Sequence, residues 1–107
     1  MKRNEEKAIR EFSSSLHKEI GTDLVEAKVF GSKVRGEDSF ESDVDILVLL
    51  KQIDQEKREI IANLSFEVGL KYDLFLSTVV YEQDIFYSPL SQETLFYQNV
   101  QREGVLI

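Results

Sequence analysis

Apolar residues recur every three or four positions in two long segments of the chain. This spacing places them on one face of a helix, so it predicts two amphipathic helices. The first covers residues 3–20 and ends at Gly21; the second follows the N-cap residue Asp54 and ends at or near Gly69. The apolar positions are Ile9, Phe12, Leu16 and Ile20 in the first helix, and Ile60, Ile61, Leu64 and Val68 in the second.

Shorter apolar runs predict three strands, at residues 24–30, 43–50 and 72–80. The connection between the first two is too short for a crossover, so we expect these strands to be antiparallel. A helix separates the second and third strands, which should therefore be parallel neighbours joined by a right-handed crossover. The expected fold is a single α+β domain over residues 1–107, with a small mixed sheet of about three strands flanked by helices.

The last part of the chain is rich in aromatic residues and then becomes helical again. A third helix is expected from about residue 91 to 103, after Pro89, with Leu95, Phe96 and Val100 facing inward. The aromatic residues could fill the core, stack on a nucleotide base or contact another protein. Core or boundary packing is the interpretation we favour for Tyr81, Phe86, Tyr87 and Tyr97.

Two acidic residues stand at the start of the second predicted strand. Side chains alternate along a strand, so Asp43 and Asp45 project from one face and Val44 from the other. Two carboxylates held in this way repel each other unless a cation lies between them. Because Mg²⁺ takes oxygen ligands and keeps positions for water and phosphate, the pair predicts a magnesium site.

Gly31 and Ser32 end the first predicted strand at the same edge of the sheet as the two aspartates. A glycine lets the backbone turn tightly and lets a ligand approach the main chain, and the serine offers a hydroxyl and an N–H to a phosphate oxygen. Lys33 and Arg35 could add positive charge for the phosphates. Alternatively, they could be exposed partners of the nearby acidic residues, which are Glu37, Asp38 and Glu41.

Asp73 begins the third predicted strand, parallel to the second, so geometry brings it near Asp43 and Asp45. It could complete a metal site, act as a general base, or be only a turn residue.

Gly31-Ser32, ten residues, and then Asp43-x-Asp45 resembles the signature of the nucleotidyltransferase fold in the DNA polymerase β superfamily. The minimal nucleotidyltransferases, small proteins paired with a HEPN-domain partner, are similar in GSKVRG, SDVDILV and the closing EGVLI. The resemblance implies Mg²⁺-dependent transfer of AMP from ATP to a tyrosine hydroxyl of a HEPN toxin, with this chain as the antitoxin. It also implies two Mg²⁺ ions on Asp43 and Asp45, a third carboxylate in Asp73, and a nucleotide-binding set of Gly31, Ser32, Lys33 and Arg35.

Composition limits the classes of ligand that the chain can bind and the compartment in which we expect it. The net charge of −7 opposes tight binding to nucleic acid, whereas a metal–triphosphate is compatible because the ion supplies positive charge. The absence of cysteine excludes disulfides and fits a reducing compartment. No apolar run predicts a membrane span or a signal peptide, so we expect a cytoplasmic protein.

Two other functions stay open at this point. The chain could be a non-catalytic antitoxin that neutralises its partner by contact, or a nucleotidyltransferase acting on a small molecule. Small-molecule nucleotidyltransferases of the aminoglycoside type carry a second domain for the acceptor, for which this chain has no room. The acceptor is therefore expected to be held by another chain, either a partner protein or the second copy in a homodimer.

Overall fold

Helices cover both faces of a mixed β-sheet in the computed structural model, which describes residues 1–36 and 43–107. In chain order the elements are α1 (Arg3–Ile20), a 3₁₀ turn (Gly21–Asp23), β1 (Leu24–Phe30), α2 (Ser32–Arg35), β2 (Val44–Leu50), α3 (Gln55–Tyr72), β3 (Leu76–Glu82), α4 (Gln83–Phe86), α5 (Pro89–Gln92), α6 (Leu95–Glu103) and β4 (Val105–Leu106). No helix in the two described segments is long and apolar enough to cross a membrane.

The strand order in the sheet is β3-β2-β1-β4. β1 and β2 are antiparallel and β2 and β3 are parallel, which confirms both predicted pairings. The described part of the sheet has four strands rather than about three, because Val105 and Leu106 pair with Val29 and Lys28 of β1. Two residues are too few to give a strand pattern in the sequence, so the expectation was one strand short.

β2 is the centre of the fold and is buried on both sides. On one face its alternate residues pack against α1 and α3, whose apolar stripes supply Phe12, Leu16 and Ile61 to the core. On the other face Leu47 and Leu49 pack against an aromatic cluster from α4 and α6. A strand covered on both faces needs apolar residues at successive positions, which explains the continuous run from residue 46 to 50.

The aromatic cluster confirms core or boundary packing for three of the four aromatic residues considered. Phe86 is fully buried, and the rings of Tyr87 and Tyr97 lie 5.1 and 4.9 Å from it. The Tyr87 hydroxyl donates a 3.0 Å hydrogen bond to Glu26, and burial together with this contact raises the pKa of Tyr87 to about 12. Tyr81 lies at the rim of the cluster and is 38% exposed.

The expected third helix is two helices. α5 begins at Pro89, with Ser88 as its N-cap, and ends at Gln92; α6 then begins after a new N-cap, Thr94. The restart explains why the inward position expected for Leu95 is wrong: as the first residue of α6 it is 75% exposed. Phe96 and Val100 do pack inward, as expected.

Candidate active site

Asp43 and Asp45 lie at the start of β2, immediately before and after the buried Val44 in the sequence. Asp43 is exposed and Asp45 is half-buried. Burial raises the pKa of the Asp45 carboxyl, the negative charge of Asp43 raises it further, and Arg35 partly opposes both effects. The two carboxylates are therefore close enough to repel each other, and their donor set of oxygens fits a hard cation such as Mg²⁺.

Gly31 brings the end of β1 into contact with the carboxylate of Asp45. The antiparallel register places Phe30 opposite Asp45, so the next residue passes directly beside the Asp45 carboxylate. The backbone of Gly31 has φ +86° and ψ −161°, a conformation that is almost confined to glycine. A Cβ at this position would collide with Oδ2 of Asp45. Only glycine can therefore turn the chain this close to the carboxylate.

Replacing Gly31 by alanine should lower the free energy of unfolding by about 4 kcal/mol, the sum of a backbone cost of ~1–3 kcal/mol and an overpacking cost of ~1–3 kcal/mol. Gly36→Ala is the matched control. Gly36 also has positive φ, +77°, but an added Cβ there would meet no atom within 4 Å. Urea unfolding should give the control a loss of only about 1 kcal/mol. Equal losses in the two variants would refute the contact with Asp45.

Ser32 begins α2 directly after this turn and is partly exposed at the same edge of the sheet. The N–H groups of Val34 and Arg35 both donate to the Gly31 carbonyl, which closes the turn. The structure thus brings together four of the predicted site residues, which are Gly31, Ser32, Asp43 and Asp45.

Lys33 is not exposed, contrary to one of the two interpretations of this residue. It is buried, and its Nζ lies 2.6 Å from Oε2 of Glu5 on α1. Burial raises the pKa of Glu5, but hydrogen bonds from the Lys33 side chain and the Lys2 backbone N–H outweigh burial and hold that pKa below its usual value. The acidic partners suggested from the sequence, Glu37, Asp38 and Glu41, lie outside the described residues.

Arg35 contacts a residue that no motif or spacing predicted. Its Nη1 donates to both carboxylate oxygens of Glu103, at 2.9 and 3.2 Å. Glu103 is the last residue of α6 and also accepts a hydrogen bond from the Gly31 N–H at 3.2 Å. One carboxylate therefore holds both ends of the turn from residue 31 to 35.

Asp73 does not begin β3, as the sequence analysis expected. α3 continues to Tyr72, and Asp73 is the C-cap residue, exposed, with φ 55° and ψ 52°. β3 starts three residues later at Leu76, and the parallel register places Ser77 rather than an acidic residue beside Asp45. Within residues 1–36 and 43–107, no three acidic, histidine or cysteine side chains are grouped closely enough to hold a metal ion.

Asp73 nevertheless lines the same groove as Asp43. This groove has a volume of about 830 Å³ and runs between α3 and β3. Three large apolar side chains line it and are strongly exposed, namely Phe66 (67%), Leu70 (68%) and Phe75 (79%). The groove therefore connects the candidate metal site to an apolar surface.

Glu5 and Glu103 are the site residues that the sequence analysis missed. Glu5 carried a detectable signal, because it lies one helical turn before Ile9 on the apolar stripe of α1. A charged residue on a buried stripe needs an opposite charge, which could have directed attention to Lys33. Glu103 had no comparable signal, since the last turn of an amphipathic helix is usually exposed.

Comparison with known proteins identifies a nucleotidyltransferase domain over most of the chain. The family described as polymerase beta nucleotidyltransferase matches residues 13–107. A protein of Methanocaldococcus jannaschii that bears the name protein adenylyltransferase is 33% identical over 99 residues, which cover 91% of this chain and 92% of that protein.

Two solved structures share the fold. A structure described as a minimal nucleotidyltransferase superimposes with a TM-score of 0.65 at 25% identity, covering all of this chain and 97% of the other. The second structure is the complex of a tri-AMPylated Shewanella oneidensis HEPN toxin with an MNT antitoxin. One chain of it superimposes with a TM-score of 0.53 at 23% identity, and the match covers 96% of this chain and 67% of that chain. With the turn after β1 packed through Gly31 against the Asp45 carboxylate at the start of β2, this chain belongs to the polymerase β family of nucleotidyltransferases.

Proposed function

We propose that the chain transfers AMP from ATP to a hydroxyl group of a partner protein. The observation that carries this proposal is the close approach of Gly31 to the Asp45 carboxylate in a chain of this family. Adenylyl transfer to a protein is supported by the name of the Methanocaldococcus jannaschii relative.

In this reaction the acceptor oxygen forms a bond to the α-phosphorus of ATP, and the bond from that phosphorus to the bridging oxygen of the β-phosphate breaks. Pyrophosphate leaves, and the hydroxyl proton passes to a base. Asp43 and Asp45 would hold Mg²⁺, which when bound neutralises charge on the leaving pyrophosphate. Ser32 and the backbone beside it would hold the β- and γ-phosphates, with Lys33 and Arg35 as the other nucleotide-binding residues predicted from the sequence.

Asp73 is the residue we propose as the proton acceptor rather than as a third metal ligand. It is exposed in the groove that Asp43 also lines, where an acceptor hydroxyl could reach it. Its position after the end of α3 and before the residues of β3 that pair with β2 favours proton transfer over metal binding.

The partner we propose is a HEPN toxin, with a tyrosine as the acceptor and this chain as its antitoxin. The support is the solved complex in which an AMPylated HEPN toxin is bound to an MNT antitoxin of the same fold. A tyrosine side chain combines a hydroxyl with an apolar ring, which suits an apolar groove beside a phosphoryl-transfer site.

A second candidate is neutralisation of the partner by contact alone, without turnover. The exposed apolar side chains of Phe66, Leu70 and Phe75 favour it, because such patches usually mark protein interaction surfaces. This candidate needs neither Mg²⁺ nor ATP, so it is distinguished by removing the metal ligands.

Calorimetric titration with Mg²⁺ and ATP, followed by transfer of labelled AMP to a purified HEPN-domain partner, tests both candidates. The wild type should bind ATP only in the presence of Mg²⁺. The Asp43→Ala Asp45→Ala double variant should bind neither Mg²⁺ nor ATP. Asp73→Ala should bind Mg²⁺–ATP like the wild type and transfer AMP roughly 10²–10⁴-fold more slowly, the usual contribution of a general base.

Three outcomes decide between the possibilities. If the double variant transfers no AMP but still neutralises the toxin when the two proteins are co-expressed in cells, contact alone is sufficient, and the proposal that AMP transfer causes neutralisation fails. If Asp73→Ala weakens Mg²⁺–ATP binding as strongly as the double variant does, Asp73 is a metal ligand after all. If Asp73→Ala transfers AMP at the wild-type rate, solvent or another group takes the proton.

A further inference from the structure

The carboxylate of Glu103 joins the two ends of the turn that carries the proposed phosphate-binding residues. It accepts a hydrogen bond from the Gly31 N–H at 3.2 Å and from Arg35 Nη1 at 2.9 Å, and its second oxygen lies 3.2 Å from the same nitrogen. The Glu103 side chain is 13% exposed, whereas that of Arg35 is 42% exposed. A charge-assisted contact on a largely buried carboxylate is stronger and better ordered than an ordinary surface ion pair.

The scaffold fixes the position of Glu103 independently of the turn. The next residue, Gly104, has no room for a side chain, since an added Cβ would collide with the carbonyl oxygen of Val100. β4 then pairs with β1 at Lys28 and Val29, directly before the turn. On the same helical turn, Gln101 accepts a 2.9 Å hydrogen bond from Lys28 Nζ. The end of α6 is thus attached to β1, and Glu103 projects from it onto the Gly31–Arg35 segment.

The contact also determines what Gly31 can offer to a ligand. The Gly31 N–H donates to Glu103, while the Cα of Gly31, where a side chain would be attached, faces the carboxylate of Asp45. Gly31 is therefore held between two carboxylates, one of the proposed metal site and one outside it. Holding a binding segment in place before the ligand arrives raises affinity, because less ordering is needed on binding.

We propose that Glu103 is a positioning residue, which orients the Gly31–Arg35 turn and the Arg35 guanidinium for the phosphates of ATP. The inference rests on the proposed function but concerns a residue outside the nucleotide-binding and metal-binding sets. Glu103 acts through Gly31 and Arg35 and does not contact the nucleotide, since its negative charge would repel the phosphates.

The test compares Glu103→Ala and Glu103→Gln with Gln101→Ala as the matched control. Gln101 lies on the same turn of α6 and also contacts β1, so its removal reproduces a general loosening of this helix without touching the turn. Calorimetry with Mg²⁺–ATP should give a dissociation constant roughly tenfold higher for Glu103→Ala, with Gln101→Ala unchanged. Glu103→Gln keeps an acceptor oxygen without the charge, so it should lose only roughly threefold.

Two further readouts separate positioning from stability. In labelled AMP transfer, Glu103→Ala should raise KM for ATP about tenfold and change kcat by less than about threefold, because the contact serves binding of the phosphates. In amide NMR spectra of the free protein, the Gly31 N–H signal should move upfield in Glu103→Ala and stay in place in Gln101→Ala.

Each other outcome overturns an identifiable claim. If the wild type does not bind Mg²⁺–ATP, the proposed function fails, and the positioning role fails with it. If the wild type binds but Glu103→Ala binds equally well or more tightly, the positioning role alone is wrong. Equal weakening in Glu103→Ala and Gln101→Ala would show that the contact supports only the fold.

Discussion

Replacement of Asp45 by asparagine is expected to abolish AMP transfer and, without magnesium, to raise the melting temperature. Activity should fall by at least about a hundredfold, because the metal site loses a charged ligand where transition-state charge is stabilised. The melting temperature should rise, because asparagine removes a charge that burial and the Asp43 carboxylate both disfavour in the folded state. Such opposite effects are typical of residues kept for function at a cost in stability.

The pKa of Asp45 gives the sign of the stability effect. Burial disfavours the charged form, the Asp43 carboxylate adds repulsion, and Arg35 offsets only part of both, so the pKa lies above its ordinary value of 3.8. A carboxyl group whose pKa is raised on folding holds its proton more tightly in the folded state, so its ionised form costs stability at higher pH. The difference between Asp45→Asn and the wild type should therefore be complete at neutral pH and shrink as the pH falls through the raised pKa towards 3.8.

Thermal melts with and without Mg²⁺ provide the measurement. Magnesium should raise the melting temperature of the wild type increasingly with its concentration and leave that of Asp45→Asn unchanged, because a ligand stabilises only the state that binds it. Asp43→Asn is the comparison variant. Asp43 is exposed, so its replacement should give a smaller rise without metal. A metal-free Asp45→Asn protein that melts below the wild type would contradict the repulsion between the two carboxylates.

The elements near the site were predictable wherever a single periodic pattern decided the structure. α1 has the predicted bounds, and β1 and β2 pair as the short connection requires. The position of Asp73 was not predictable, because Gly69 lies inside α3 rather than at its end. A Cβ on Gly69 would be 2.6 Å from the Leu74 carbonyl oxygen, so this glycine serves the chain that folds back over it. From the sequence alone, a glycine in a helical pattern does not show whether it ends the helix or makes room for a neighbouring segment.

The residues that hold the Gly31–Arg35 turn were not predictable for a different reason. The motif identified the turn and the aspartates, but the two glutamates that hold the turn come from opposite ends of the chain, Glu5 from α1 and Glu103 from α6. Contacts of this kind depend on how the helices pack on the sheet, which no local spacing encodes. The chemistry of the site could thus be inferred from the sequence, whereas the residues that hold the turn in place could be identified only from the structure.

Replacement of Lys33 by methionine is expected to lower the free energy of unfolding by about 3 kcal/mol, because it leaves the Glu5 carboxylate buried without its cation. The side chains of Lys33 and Glu5 are only 2% and 6% exposed, so water cannot substitute for the lost partner. The pair joins α2 to α1, and its loss should also loosen the turn that follows Gly31. Urea unfolding measures the effect.

The double variant Glu5→Leu Lys33→Met separates this role from phosphate binding. Removing both charges leaves no buried charge without its partner and costs only the acceptor of the Lys2 N–H, so stability should return to within about 1 kcal/mol of the wild type. If Lys33 only anchors α2, Mg²⁺–ATP affinity should return with it. If Lys33 binds the triphosphate, affinity should stay low in a double variant that is again stable. Unchanged stability in the single variant would contradict the buried ion pair itself. The same two proteins therefore decide whether the lysine of the Gly-Ser-Lys turn serves the nucleotide or the scaffold.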